Sequence, residues 1–406
     1  MIQDERHIGK AMQALMMLAV MLLLVGCTSG EEGSVTEEPQ PTMLQIHVYA
    51  PNHMLPTRAN TDWVTSATKE SKVNTLQIWV FEHGSDNLVG YFTPPTTDEL
   101  NTAGNAVYQM AVTPQFVKNK PHVDVYVLAN VTMANCKCEF DANTTRTQLE
   151  DTMLKHEGEN DPFGLTTKVT AVPADGLPMT GALRDQVVTG ESPVLRIGDG
   201  SLATVQLVRA VSKVRFIFSQ MKNDENVMKI KSVSLTGDIL PKQEYLFLKK
   251  PDTDDVQPYT GSEYHVNAAG GYDAGPVQMV GAIDNVASTT DPLYYTYSAG
   301  MGAQEYETLI TTDLTKETPD LTLGGTFYLR ESDKKLTGEI KYTVTDADNN
   351  TVERTATFSM HDAGDFSRNH TWVVYAFYGS TTLDILVVRI KEWSTVQELD
   401  HTVYNW

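Results

Sequence analysis

Leu202-Ala203-Thr204-Val205-Gln206-Leu207-Val208-Arg209-Ala210-Val211-Ser212-Lys213-Val214-Arg215-Phe216-Ile217-Phe218 is the longest β-rich run in this chain. Val205, Leu207, Val211 and Ile217 share one parity, while Val208, Ala210, Val214, Phe216 and Phe218 share the other. Side chains of a strand alternate between its two faces. Arg209, Lys213 and Arg215 interrupt the first face, so the run is expected to change partner or exposure along its length. Just before it, Gly198-Asp199-Gly200 marks a composition shift and a domain boundary.

Strand-like segments lie on both sides of this run. Downstream they are Met228 to Leu235, Glu244 to Leu248, Thr326 to Arg330, Gly338 to Val344, Val352 to Met360, Trp372 to Tyr378 and Leu383 to Lys391. An acidic, Gly- and Tyr-rich stretch, Pro251 to Gly302, separates the second from the third. Upstream, Leu44, Ile46 and Val48 alternate with Gln45, His47 and Tyr49, the period of a half-buried strand. Val73 to Phe81 and Leu88 to Phe92 flank a turn at His83-Gly84-Ser85-Asp86-Asn87, and Val107 to Val112 and Val123 to Ala129 follow. Leu177 to Gly181 reads as a loop or strand start. Thr145 and Gln148 have capping-box spacing, with Leu149 and Met153 one turn apart, which predicts a short helix near 146–156. Strands at this spacing without βαβ alternation predict an all-β chain of two antiparallel β-sandwich domains with few short helices. The expected domains are 43–198 and 199–406.

The amino terminus reads as an export signal. Arg6 and Lys10 precede an apolar run, Ala11 to Val25, broken only by Gln13 and too short for a comfortable membrane span. Leu24-Val25-Gly26-Cys27 then resembles a bacterial lipoprotein box, in which the cysteine is acylated and becomes the first residue. On that reading residues 1–26 are removed, 380 of the 406 remain, and 27–42 is a flexible Gly-, Ser-, Glu- and Pro-rich tether. Asp4 and Glu5 balance Arg6 and Lys10, so the remaining chain keeps the net charge of −21. With no basic patch to offset it, such a surface excludes nucleic acid as a partner. Glu31-Glu32 resembles the acidic export tag of surface lipoproteins in the Bacteroides group. The expected location is the outer membrane and cell surface.

Candidate chemistry is sparse. The chain has no Gly-x-Ser-x-Gly elbow, Walker loop, dinucleotide fingerprint or His-Glu-x-x-His, so neither an enzyme activity nor a cofactor or metal is expected. Beyond Cys27 only Cys136 and Cys138 remain, which excludes a disulfide framework. On a strand these two thiols would share a face, and we read them as an incidental pair rather than a strained disulfide or a metal contact. Asp346-Ala347-Asp348-Asn349-Asn350 begins like a calcium loop, but Thr351 and Thr357 stand where glycine and glutamate are needed, so it reads as a hairpin turn. Asp252, Asp254 and Asp255 read as a solvated loop. Arg368-Asn369-His370 reads as a turn before a strand. Trp393 and Trp406 suit core packing better than sugar stacking.

Several stretches look familiar together. They are the box at Cys27, Thr57-Arg58-Ala59, Glu70-Ser71-Lys72-Val73-Asn74-Thr75-Leu76 leading into Gln77 to Phe81, and Val125 to Asn130. Pro178-Met179-Thr180-Gly181, Leu207 to Arg215 and Arg368 to Trp372 complete the set. In this order they resemble the fimbrillin superfamily, the FimA-type and Mfa-type pilus lipoproteins of Bacteroidetes. The resemblance implies two transthyretin-like β-sandwich domains, lipidation at Cys27, and a trypsin-like protease that cuts after Arg58 to leave Ala59 first. It also implies loss of the strand bearing Leu44, Ile46 and Val48, and growth of a fimbria as a strand from another subunit fills the vacated groove. The donor lies in Leu383, Ile385 and Val387, or in the less regular Val396, Leu399 and Val403. Implied partners are other fimbrial subunits, the processing protease, the outer membrane through lipid, and a receptor on a host or bacterial surface. The alternative role is an uncleaved surface lipoprotein: an adhesin, glycan-binding module, or fimbrial anchor or tip.

Overall fold

The computed structural model describes residues 41–406 except 51–68, 137, 156–171, 200, 223–225, 250–254, 259–267, 273, 293–309, 311, 315, 360–366, 380, 391–398 and 405–406. The first half carries β1 (Met43–Tyr49), β2 (Leu76–Glu82), β3 (Leu88–Phe92), β4 (Asn105–Ala111), β5 (Val123–Ala129), β6 (Met153–Lys155), β7 (Met179–Gln186), β8 (Val188–Glu191) and β9 (Val194–Ile197). β10 (Thr204–Gln206), β11 (Val208–Arg209) and β12 (Ser212–Met221) cross to the second half. There the chain continues through β13 (Asn226–Leu235), β14 (Pro241–Tyr245), β15 (Ala268–Tyr272), β16 (Val277–Val280), β17 (Ser288–Thr289) and β18 (Thr322–Leu329). It ends with β19 (Thr337–Asp346), β20 (Thr351–Ser359), β21 (Thr371–Tyr378), β22 (Leu383–Ile390) and β23 (Leu399–Tyr404). Helices are short: α1 (Asp98–Ala103), α2 (Pro114–Asn119), α3 (Met133–Cys136) and α4 (Arg146–Asp151).

Two sandwiches result. In the first, β4, β1, β9, β10 and β8 form one sheet, and β11-β7-β5-β2-β3 forms the other. Their inner faces meet in a core that includes Leu44, Ile46, Val48, Ile78, Val80, Val125, Val127, Leu195, Val205 and Leu207. In the second, a sheet ordered β17-β12-β21-β22-β23, with β18 also on β12, faces β16-β13-β19-β20. Phe216, Phe218, Ile230, Ile340, Phe358, Trp372, Val374 and Ile385 fill that core. Most pairs are antiparallel, but β1 runs parallel to β9 and β10, and β12 runs parallel to β17 and β21. A third apolar cluster joins the halves: Trp79, Phe81, Tyr126 and Leu128 pack with Leu246, Phe247, Val256 and Tyr328.

The run over Leu202 to Phe218 is three strands rather than one. β10 pairs with β1, β11 with β7, and β12 with β18 and β21, so the chain serves three sheets in succession. Each change of sheet needs a break in the ladder, which apolar patterning alone does not encode. Arg209, Lys213 and Arg215 are nearly fully buried.

The capping box forms as read. Thr145 Oγ1 accepts from Gln148 N at 3.1 Å, and Gln148 Oε1 accepts from Thr145 N at 2.9 Å. The helix stops at Asp151, short of the expected 156, because Met153–Lys155 becomes β6 and pairs with β14. Here a strand from the other half overrides local helical spacing. β2 likewise starts at Leu76, after a helical turn at 69–71, rather than at Val73. The acidic turn is a hairpin turn: the Asp346 carboxylate accepts from Asp348 N at 3.0 Å and Asn350 N at 2.8 Å, and Asn349 takes a left-handed φ of 64°.

Arg368-Asn369-His370 forms a turn that is also a buried polar hub. Arg368 Nη2 and Nε reach Glu331 Oε1 at 2.6 and 3.0 Å, while Nη1 donates to Leu246 O at 2.8 Å and Nη2 to Tyr245 O at 2.7 Å. Glu244 lies beside this pair and accepts from Glu331 N at 3.1 Å. Its pKa is pushed up to about 8, chiefly by burial, with Arg368 opposing and the Glu331 carboxylate adding to the rise. The folded state therefore retains a proton that the unfolded chain releases near the usual 4.5. That stabilisation is complete below the lower value and is lost as pH rises through the upper one. Glu244→Gln should leave the melting temperature almost unchanged at pH 4.5 and raise it progressively toward pH 8, as calorimetry across that range will register.

Candidate functional site: the slot held by β1

β1 is an interior strand made from the first described residues of the chain. Its burial alternates as its sequence does: Leu44, Ile46 and Val48 are 0%, 1% and 0% exposed, with the residues between them half-buried. One edge pairs with β4 along its whole length, Met43 opposite Ala111 through Tyr49 opposite Asn105. The other edge is shared, Met43 to Gln45 with β9 and His47 to Tyr49 with β10, both parallel. At the ends, Met43 N donates to Pro193 O at 2.8 Å and Ala50 N to Gly104 O at 2.8 Å. Leu207 N donates to Tyr49 O at 2.9 Å. On the outer face His47 Nδ1 meets Thr204 Oγ1 at 2.8 Å and Arg196 Nε meets Gln45 Oε1 at 3.3 Å.

Three apolar side chains buried at about 1.5–3 kcal/mol each hold this strand, along with ladder bonds of about 0.5–1.5 kcal/mol apiece. All of its contacts with the rest of the fold are noncovalent, and its forward connection is residues 51–68 alone. A single scission there leaves β1 joined only to residues 1–42. Its departure would bare two ladder edges facing each other across a strand-wide gap floored by Ile78, Val80, Val125 and Val127. Such paired edges are a template for an incoming strand.

The other candidate residues fall as follows. Cys27, Arg58, Ala59, Val396, Trp393 and Trp406 lie outside the described residues, as do Asp252 and Asp254. Leu383, Ile385 and Val387 sit in β22, between β21 and β23, and are buried in the second core. Leu399 and Val403 belong to β23, the last strand of that sheet, paired only with β22 among the described residues. Cys136 closes α3 rather than lying on a strand. A hydrogen bond with it holds the Cys138 thiol below its usual pKa.

The composition of the chain hides one further cluster. Asp124, fully buried at a bulge in β5, accepts from His83 Nδ1 at 2.8 Å, Asp185 N at 2.8 Å and Gly84 N at 3.2 Å, with Arg184 Nε at 3.2 Å. Burial raises its pKa, but these donors outweigh it and keep the carboxylate ionised. This ties the β2–β3 turn to β5 and β7. Among the described residues no three His, Cys, Asp or Glu side chains are placed to hold a metal ion.

Residues 44–211, which begin at β1 and end at the crossing between the cores, match the family model described as major fimbrial subunit protein (FimA). No curated protein matches the chain. Among solved structures it is similar to a Bacteroides eggerthii protein assigned to cell adhesion, at 14% identity and TM-score 0.44, covering 91% of this chain and 97% of that one. The tip fimbrial protein Mfa3 from Porphyromonas gingivalis matches at 13% and 0.40, covering 90% and 99%. A fimbrial assembly protein from Parabacteroides distasonis matches at 15% and 0.39, covering 89% and 100%. Over residues 44–211, from β1 to the crossing between the cores, the chain is thus similar to the major fimbrial subunit (FimA) family.

Proposed function

We propose that the protein is a structural subunit of a cell-surface fimbria that polymerises by strand exchange at the slot held by β1. The position of β1 carries this reading. It is interior to its sheet, buried on one face, and tethered forward only by 51–68. In this scheme Cys27 is acylated and anchors the precursor in the outer membrane. A trypsin-like protease then cuts after Arg58, β1 leaves with residues 27–58, and a strand of another subunit enters. A donor running in the direction of β1 would restore its antiparallel pairing with β4 and its parallel pairing with β9 and β10.

The C-terminal segment holding Leu399 and Val403 is the favoured donor. β23 is an edge strand, so its departure disturbs one ladder. Releasing β22 would empty Leu383, Ile385 and Val387 from the core, at about 1.5–3 kcal/mol for each side chain. The partners are other fimbrial subunits and the processing protease. The reading assigns no reaction to the chain itself.

Limited trypsinolysis of the folded precursor tests it. The first stable product should begin at Ala59 and assemble into denaturant-resistant oligomers, while the uncut chain stays monomeric at equal concentration. Deleting 394–406 should leave cleavage intact and stop growth. First cuts in the second half, with Arg58 spared, would refute activation at this site. Processed protein that stays monomeric in light scattering but accepts a strand from a different subunit would mark an accessory or tip role instead.

A further inference from the structure

Just after residues 51–68, polar groups of the chain are taken up by Arg209 of β11, at the crossing between the halves, and by β12 and β18 of the second half. Glu70 and Ser71 lie in the helical turn just before β2, and both are buried. Lys213 Nζ of β12 donates to Glu70 Oε2 at 2.9 Å, and the Tyr328 hydroxyl of β18 donates to Oε1. Arg209 bridges three groups: Nε to Glu70 O at 2.9 Å, Nη2 to Ser71 Oγ at 2.8 Å, and Nη1 to Asn369 Oδ1 at 3.0 Å. Burial alone would push the Glu70 carboxyl up, but Lys213, Arg215 and Tyr328 hold it below the usual value, so it is ionised in place.

The next residues are fastened by the first half. Asn101 takes both polar groups of Val73, with Oδ1 accepting from Val73 N at 2.8 Å and Nδ2 donating to Val73 O at 2.7 Å. Asn130 Oδ1 accepts from Asn74 N at 2.7 Å, and its Nδ2 donates to Lys72 O at 2.8 Å and Leu177 O at 2.9 Å. β2 then runs on between β3 and β5 in the sheet that floors the slot.

We infer that Glu70 and Ser71 form a latch, closed by Arg209, Lys213 and Tyr328, which anchors the start of β2 to the second half independently of β1. The floor of the slot therefore stays docked when β1 is absent. A buried charge left without its partner strongly favours opening toward water. Breaking the latch should thus act first where it is attached. The part of the inference that concerns the absence of β1 rests on the strand-exchange reading above.

Hydrogen exchange on the whole, uncut chain tests the latch. Glu70→Gln should speed exchange of the amides from Val73 to Val80 at least tenfold, while β13 and β19 keep their rates. Tyr328→Phe removes one hydroxyl and no charge. It should give a smaller rise at the same amides and keeps the test open if Glu70→Gln does not fold. Unchanged rates from Val73 to Val80 in both variants, or an equal rise throughout both halves, would overturn the latch. In wild-type protein cut within 51–68, these amides should remain protected, and their loss of protection would overturn the docked floor. The uncut comparison decides the latch whether or not protease opens 51–68, which is the separate test of strand exchange.

Discussion

Replacing Ile46 by aspartate should unfold the first sandwich, whereas the same charge at Gln45 should be nearly silent. Ile46 is buried between the two sheets, so the substitution forfeits about 1.5–3 kcal/mol of apolar burial. It also places a carboxylate among the apolar side chains of that core, at a cost of several kcal/mol more. Together these are comparable to the total stability of an ordinary domain, about 5–15 kcal/mol. Gln45 is half-buried on the other face, where its Oε1 accepts from the exposed Arg196 guanidinium, so Gln45→Asp should change stability by no more than about 0.5 kcal/mol. Urea denaturation followed by tryptophan fluorescence compares the two, with Trp79 reporting on the first sandwich and Trp372 on the second. Equal effects would mean that β1 does not present this face to the core. Loss of the Trp79 transition with the Trp372 transition retained would show that the second sandwich stands without the first.

The second large effect lies at Arg368. Its guanidinium binds Glu331 through two nitrogens and satisfies the carbonyls of Tyr245 and Leu246, all out of water. Arg368→Met leaves Glu331 buried and unpaired, which should cost about 3–5 kcal/mol. The double variant Arg368→Met/Glu331→Gln should recover much of that loss, because removing both charges of a buried pair is far less costly than removing one. A double-mutant cycle measured by chemical denaturation checks this. Additive losses would show that the pair is not coupled. The hub lies where β14 reaches β6 of the first half, so its failure should also loosen the contact between the halves.

Much of this molecule is legible in the order of its residues. The alternation over Leu44 to Tyr49 locates β1 and its buried face, because a strand with one face in a core must repeat with period two. Leu88–Phe92 and Val123–Ala129 are bounded by their own turn and β-branched residues, and the Thr145–Gln148 pair starts its helix where the spacing says. All of these are local signals. Tertiary structure decided the rest. The charges within Leu202 to Phe218 point to a change of partner or exposure, but not to three sheets, since strand partners are chosen by contacts between distant residues. Arg209 and Lys213 look like surface interruptions in one dimension. They are buried because Glu70, Ser71 and Asn369, as many as 160 positions away, supply the carboxylate and oxygens that make burial affordable. Met153 keeps helical spacing with Leu149 but enters β6 because β14 offers it a ladder. Pattern encodes which face of an element is apolar. Only the folded chain determines which edges meet and which buried charges find partners, because both depend on residues brought together from far apart.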